Sequence, residues 1–171
     1  MQLRTFHLQR FDPLALHLRL CPQGPGFLES AAVAPRTGRL SLVPLRRRES
    51  YRLDSRGLAR LQGGREEFLP GDPFATLGGI LDGRRAAPLA ATPFPAGFFG
   101  FFAYDLAGRI EALPRLANRD RPVPELWLDW VDVTATYHHQ QRLLTLASLD
   151  PTVDLPSLEV EVRQALATPF P

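Results

Sequence analysis

Apolar stretches that read as strands outnumber those that read as helices in this 171-residue chain, and the two kinds do not alternate. Parallel strands need a long crossover, usually a helix, between one strand and the next. A chain without that alternation points to an α+β fold with mainly antiparallel sheets, not to a doubly wound nucleotide-binding fold. Seven or eight strands suggest two packed sheets, sandwich-like, or one strongly bent sheet, accompanied by a few short helices. The length is enough for a single domain with a real core, and 44% hydrophobic with 22% charged residues is ordinary for such a domain.

The local signals are specific. Strands are expected from Leu3 to Leu8, Phe27 to Ser30, Leu40 to Pro44, Ser50 to Leu53 and Gly57 to Leu61, the last two forming a hairpin through Asp54-Ser55. The aromatic run Phe98 to Tyr104 reads as an interior strand, because such a run makes no sense on an exposed edge. Leu126 to Tyr137 and Arg142 to Leu149 read as a second antiparallel hairpin. Asp12-Pro13 and Gly71-Asp72-Pro73 each place a cap residue before a proline at the first helical position, opening helices to Leu18 and to about Leu81. A short helix is expected from Asp105 to Leu113, stopped by Pro114, and a last one from Asp154-Leu155-Pro156 to about Ala167. Polar turns or linkers are expected at Pro35 to Gly38, Arg84 to Pro95 and Arg115 to Pro124, with Arg46-Arg47-Arg48 in a turn ahead of the first hairpin.

Reactive chemistry is hard to find. Every basic residue among the 20 Lys and Arg positions is arginine, so no lysine Schiff base, lysine nucleophile or P-loop lysine is available. Adjacent His138 and His139 would point to opposite sides of a strand and cannot easily share a metal; a polar hairpin end is the simpler reading. His7 and His17 lack ligand partners at metal spacing. Cys21 is the sole cysteine, excludes an internal disulfide and reads as a packing residue. Gly97-Phe98-Phe99-Gly100 is too bulky for a phosphate-cradling loop, and a formal charge of +2 gives little reason to expect a nucleic-acid partner. Glu66-Glu67, Asp129 and Asp132 read as half-exposed carboxylates, and Glu159 and Glu161 as the wet face of the last helix. No apolar run is long enough to span a bilayer and no secretory leader is apparent, so a cytoplasmic protein is expected. On this reading the chain holds no catalytic and no metal-binding residues.

A longer pattern carries more information. Residues 92 to 114, Thr-Pro-Phe-Pro-Ala-Gly-Phe-Phe-Gly-Phe-Phe-Ala-Tyr-Asp-Leu-Ala-Gly-Arg-Ile-Glu-Ala-Leu-Pro, keep Pro93, Phe94, Gly97, Gly100, Tyr104, Asp105, Leu106, Glu111, Leu113 and Pro114 of a signature. That signature resembles the amino-terminal domain shared by component I of para-aminobenzoate (aminodeoxychorismate) synthase and of anthranilate synthase. Ala96 and Ala103 stand where the family usually has glycine. Further matches follow in the family's order: Gly26 to Ser30, Gly38 to Val43, Gly71 to Phe74, Pro124 to Leu126, Trp130 to Val133 and Arg142 to Leu146. The resemblance covers about residues 3 to 150; the rest is a carboxy-terminal helix and the start of a linker, over 151 to 171.

The resemblance implies a non-catalytic domain that packs on a larger chorismate-binding domain, where Mg²⁺ and the amination chemistry reside. It implies a glutamine amidotransferase subunit as ammonia source, and a tryptophan pocket lined here by Glu29, Ser30, Gly38, Arg39, Leu40 and Ser41. Leu40 replaces an aromatic residue of the family. This chain ends near where the family's inter-domain linker begins, so alone it is expected to need no cofactor, to turn over no chorismate, and to self-associate through the uncovered face. The short N-terminus, the spacing from Ser30 to Arg39 and Asp129-Trp130 look closer to the para-aminobenzoate branch. The alternatives are the regulatory domain of an anthranilate synthase and a stand-alone aromatic amino-acid sensor.

Overall fold

The computed structural model describes residues 1–30, 32, 37–85, 92–113 and 121–167. The strands are β1 (Gln2–His7), β2 (Leu40–Asp54), β3 (Gly57–Gln62), β4 (Arg65–Phe68), β5 (Gly97–Phe102), β6 (Leu126–His138) and β7 (Leu143–Ser148). The helices are α1 (Pro13–Leu20), α2 (Pro73–Asp82) and α3 (Leu155–Ala167), with a 3-10 helix over Tyr104–Arg109. The fold is α+β, as expected. The seven strands belong to one sheet, in the hydrogen-bonding order β1-β7-β6-β2-β3-β4 with β5 paired to β6. The pairs β1–β7, β6–β7, β2–β3 and β3–β4 are all antiparallel.

The chain forms two compact units. One comprises Met1–Arg47, Ala87–Gly97 and Val131–Pro171. Its core gathers Phe6, Leu16, Val43, Ala135, Tyr137, Leu144, Leu146, Leu155 and Val162, which are inward positions of β1, β2, β6 and β7 together with the apolar stripes of α1 and α3. Asp12 caps α1 as the sequence indicates, its Oδ1 accepting the Ala15 N–H at 2.8 Å, a contribution of about 1 kcal/mol. Tyr137 stacks on Phe11 with ring centroids 4.8 Å apart and donates its hydroxyl to the Leu8 carbonyl. Cys21 is buried, and burial pushes its thiol pKa up to about 11, which makes it a packing residue and not a nucleophile.

The second unit comprises Arg48–Ala86 and Phe98–Trp130. Its core is Tyr51, Leu53, Leu58, Leu77, Leu106, Leu126 and Leu128. The β2–β3 register pairs Asp54 with Gly57, so Ser55 and Arg56 form the two-residue loop. Gly63 and Gly64 turn β3 into β4, both at positive φ (57° and 77°), the conformation that a two-residue hairpin loop of this kind demands. Asp72 caps α2 through the Ala75 N–H at 2.8 Å.

Four local expectations need correction. The aromatic run is a strand but not an interior one: β5 bonds only to β6, and Phe101 and Phe102 are 44% and 59% exposed. Residues 27 to 30 make a single bridge, Leu28 to Leu42, and not a strand. Arg46-Arg47-Arg48 lies inside the 15-residue β2, because Arg46 is drawn to two carboxylates and so tolerates a strand position. Asp129 and Asp132 are buried and partnered, not half-exposed: Asp129 accepts from the Ser50 hydroxyl and from the Trp127 indole at 3.0 Å, and Asp132 takes both arms of Arg46 at 2.8 Å. The strand Arg65–Phe68 carried no recognisable signal, since all four side chains are exposed and polar or isolated. The expected linkers and turn at Pro35, Arg84 to Pro95 and Arg115 to Pro124 fall in part on residues 33–36, 86–91 and 114–120, outside the described residues.

Candidate functional site

The site indicated by sequence lies in the unit that contains the chain's N-terminus, where three segments meet. Leu28 and Leu42 exchange both backbone hydrogen bonds, at 2.9 and 2.8 Å. An antiparallel bridge at 28 and 42 sets residue 30 opposite residue 40. Accordingly the Ser30 hydroxyl donates to the Leu40 carbonyl, and the Ser30 N–H donates to Ser41 Oγ at 3.1 Å. From the end of β6, the His139 N–H donates to the Arg39 carbonyl at 2.9 Å, and His139 Nε2 lies 2.8 Å from Ser41 Oγ.

Ser41 is 1% exposed and so has to satisfy its hydroxyl inside the protein. Burial lowers the His139 pKa, against an upward pull from Glu29 and with a further lowering by His138. A neutral imidazole that accepts the Ser41 O–H at Nε2 leaves Ser41 Oγ free to accept the Ser30 N–H, so that the serine hydroxyl both donates and accepts. The pair superficially resembles a nucleophile and its base, but a serine at 1% exposure offers no room for an incoming carbonyl. What the arrangement can do is hold a rigid polar corner at the edge of an apolar sheet, the type of environment that orients the polar end of a small ligand.

Of the six residues named from the sequence, Ser30, Leu40 and Ser41 are joined directly, Arg39 through its carbonyl, and Glu29 through its field on His139. Glu29 and Arg39 are exposed, and Gly38 turns the chain into β2 with φ of 67°. His139 is the member that sequence reasoning missed. A signal existed: it stands two residues after the buried Tyr137, on the same side of the strand, and the two rings meet edge to face at 5.0 Å.

Among the described residues no three His, Cys, Asp or Glu side chains come together as metal ligands. No helix among them is long and apolar enough to cross a membrane. In the second unit a cleft of about 570 Å³ is lined by Arg52, Asp54, Ser55, Arg56 and residues 121–124. Its arginines at 52 and 56 are already matched by Asp54 and Glu66, while Arg121 adds a third, exposed cation to the lining.

No family model matches the chain. It is 32% identical over 142 residues to anthranilate synthase component 1 of Mycolicibacterium smegmatis, a match covering 80% of this chain and 27% of the relative. It is 33% identical over 79 residues to aminodeoxychorismate synthase component 1 of Escherichia coli, covering 45% of this chain and 17% of the relative. The fold is similar to that of anthranilate synthase component I from Streptococcus pneumoniae, with a TM-score of 0.57 and 17% identity, over 94% of this chain and 36% of the other. This chain thus spans less than a third of the length of either relative.

Proposed function

Because this chain is homologous to component 1 of anthranilate synthase over most of its own length, and to component 1 of aminodeoxychorismate synthase over nearly half, we propose that it serves as the N-terminal, non-catalytic domain of an aminodeoxychorismate synthase component 1. In this reading the domain supports a chorismate-binding catalytic domain, which converts chorismate to aminodeoxychorismate for folate biosynthesis with ammonia from a glutamine amidotransferase subunit. The observation that carries it is the exposed apolar stretch that starts at the end of β5 and runs on through the 3-10 helix to Leu113. Phe101, Phe102, Tyr104, Ile110 and Leu113 are 44%, 59%, 92%, 69% and 44% exposed, five large apolar side chains within one short segment. Such a segment is costly to leave in water and marks a surface that a partner covers.

The chemistry of these residues agrees with a supporting role. The Ser41 hydroxyl is buried and already hydrogen-bonded, and no lysine is present to act as a base or nucleophile. In this proposal Mg²⁺ belongs to the catalytic domain. Glu29, Ser30, Gly38, Arg39 and Leu40, which reach the surface around the buried Ser41, are the proposed seat of the amino-acid end of tryptophan, with Ser41 and His139 bracing them from behind. The test is direct. The purified chain with chorismate, ammonia and Mg²⁺ should form neither aminodeoxychorismate nor anthranilate above a heat-killed control, and turnover would overturn the non-catalytic reading. Calorimetry with tryptophan and with chorismate tests the ligand.

The second reading is the regulatory domain of an anthranilate synthase, favoured by the longer match to that relative. The two are separated by the product formed when this chain is combined in turn with the catalytic part of an aminodeoxychorismate synthase component 1 and of an anthranilate synthase component 1.

A further inference from the structure

Within the second unit, the guanidinium of Arg84 sits in a cage of three aromatic rings. Its Cζ lies 4.8 Å from the Trp130 ring centroid, 5.6 Å from Phe98 and 5.8 Å from Tyr51, all inside the roughly 6 Å reach of a cation–π contact. The rings brace one another, with Phe98 and Trp130 tilted at 5.0 Å and Tyr51 and Phe98 edge to face at 5.9 Å. Glu49, 3% exposed, closes the cage and pairs with Arg84 Nη2.

Two features separate this cage from an ordinary buried ion pair. Removing one partner of a buried pair normally strands the other charge. Glu49 would not be stranded: the Tyr51 hydroxyl donates to its Oε1 at 3.0 Å, and the Arg60 guanidinium stands 2.8 Å from its Oε2 as a second countercharge, although Arg60 Nε makes no hydrogen bond there. The occupant, moreover, is imperfectly held. Arg84 Nη1 is buried and finds no hydrogen-bond partner among the described residues, and 28% of the side chain is open to solvent. Glu49 thus has a hydrogen bond and a second countercharge besides the occupant of the cage, Arg84, which lies just beyond the end of α2.

We propose that Tyr51, Phe98, Trp130 and Glu49 form a guanidinium-binding site, occupied in this chain by its own Arg84 and open to an external guanidinium group when Arg84 is withdrawn. A short tether gives Arg84 an effective concentration in the millimolar range or above, so the intact chain should resist millimolar competitors. The chemistry of recognition is a flat cation with ring faces above its carbon and one carboxylate at its edge. That suits an arginine side chain or a small alkylguanidinium and suits an ammonium ion less well.

The probe is methylguanidinium chloride, titrated into the 171-residue chain while the Trp130 indole signal is followed by two-dimensional NMR, with sodium chloride at equal ionic strength as reference. Arg84→Ala should melt several degrees below the parent chain, show a saturable shift of the Trp130 indole at millimolar probe, and recover at least half of the lost melting temperature. The parent chain should show no saturable shift over the same range, and Glu49→Gln added to Arg84→Ala should abolish the response. If Arg84→Ala does not fold, Arg84→Gln, which keeps the aliphatic stem over the rings, should respond in the same way. A linear, unsaturable response in the variant, or equal responses in variant and parent, would show that Arg84 is an anchor only and would overturn the proposal.

Discussion

Replacing Gly100 by alanine tests the packing of the most family-like segment of the chain. A Cβ built on Gly100 would stand 1.9 Å from the Trp127 carbonyl oxygen, 2.9 Å from the Trp127 carbonyl carbon and 3.0 Å from Leu128 Cα. All three are backbone atoms of β6, so no side-chain rotation relieves the clash. Ordinary contact begins near 3.4 Å, which means that β5 has to withdraw by more than an ångström and give up its pairing with β6. Overpacking against adaptable side chains costs about 1–3 kcal/mol. Against fixed backbone the upper end applies, about 3 kcal/mol, or a fall in Tm of about 6–12 °C for a chain of this size. The assay is thermal unfolding followed by circular dichroism, with amide exchange over residues 97–102. The internal control is α2, where a Cβ at Gly78 or Gly79 meets nothing within 4 Å. Alanine there should stabilise by about 0.5–1 kcal/mol, because it restricts the unfolded chain and suits a helix. A Gly100→Ala variant that melts with the parent chain, with unchanged exchange in β5, would refute the close approach of the two strands.

Three further outcomes follow from individual side chains. Arg46→Ala should cost about 2–3 kcal/mol in chemical denaturation, less than a fully buried pair because Arg46 is a third exposed, and Asp132→Asn in the same chain should return much of it by removing the stranded charge. His139, with its pKa lowered by burial, binds its proton less readily folded than unfolded; stability should therefore be undiminished above about pH 6.5 and fall as the pH drops below that value, and His139→Gln should flatten the melting profile between about pH 5 and pH 7. Asp150 is held ionised chiefly by Thr152 and then by Arg46, so Thr152→Val should be less stable than the parent above about pH 4, with the difference vanishing as the carboxylate protonates in more acidic solution.

The regular elements were legible where one local rule decides the structure. The Asp-Pro caps gave α1 and α2, and the alternating apolar runs gave the β6–β7 hairpin, because capping and pleating act over a few residues. The errors cluster where a distant partner decides. Arg46 reads as solvated until Asp132 and Asp150 arrive from more than eighty residues away, and the same distance hides the burial of Asp132. The aromatic β5 reads as interior because an apolar run looks the same in sequence whether its side chains are buried or exposed. At the candidate site, Ser30 and Ser41 were legible through the family resemblance. His139 was passed over because its role comes from a hydrogen bond spanning ninety-eight positions.

The central claim is that this domain exists to support a catalytic domain, and sedimentation velocity with that domain supplied in trans tests it most directly. Alone, the chain should self-associate through the stretch from Phe101 to Leu113. With the catalytic domain added it should form a one-to-one complex that melts higher than either part, because binding only the folded form stabilises it. Phe102→Asp together with Ile110→Asp should abolish both associations while leaving the fold intact. A monomer whose sedimentation and melting are unchanged at saturating catalytic domain would contradict the account and favour a stand-alone sensor of an aromatic amino acid.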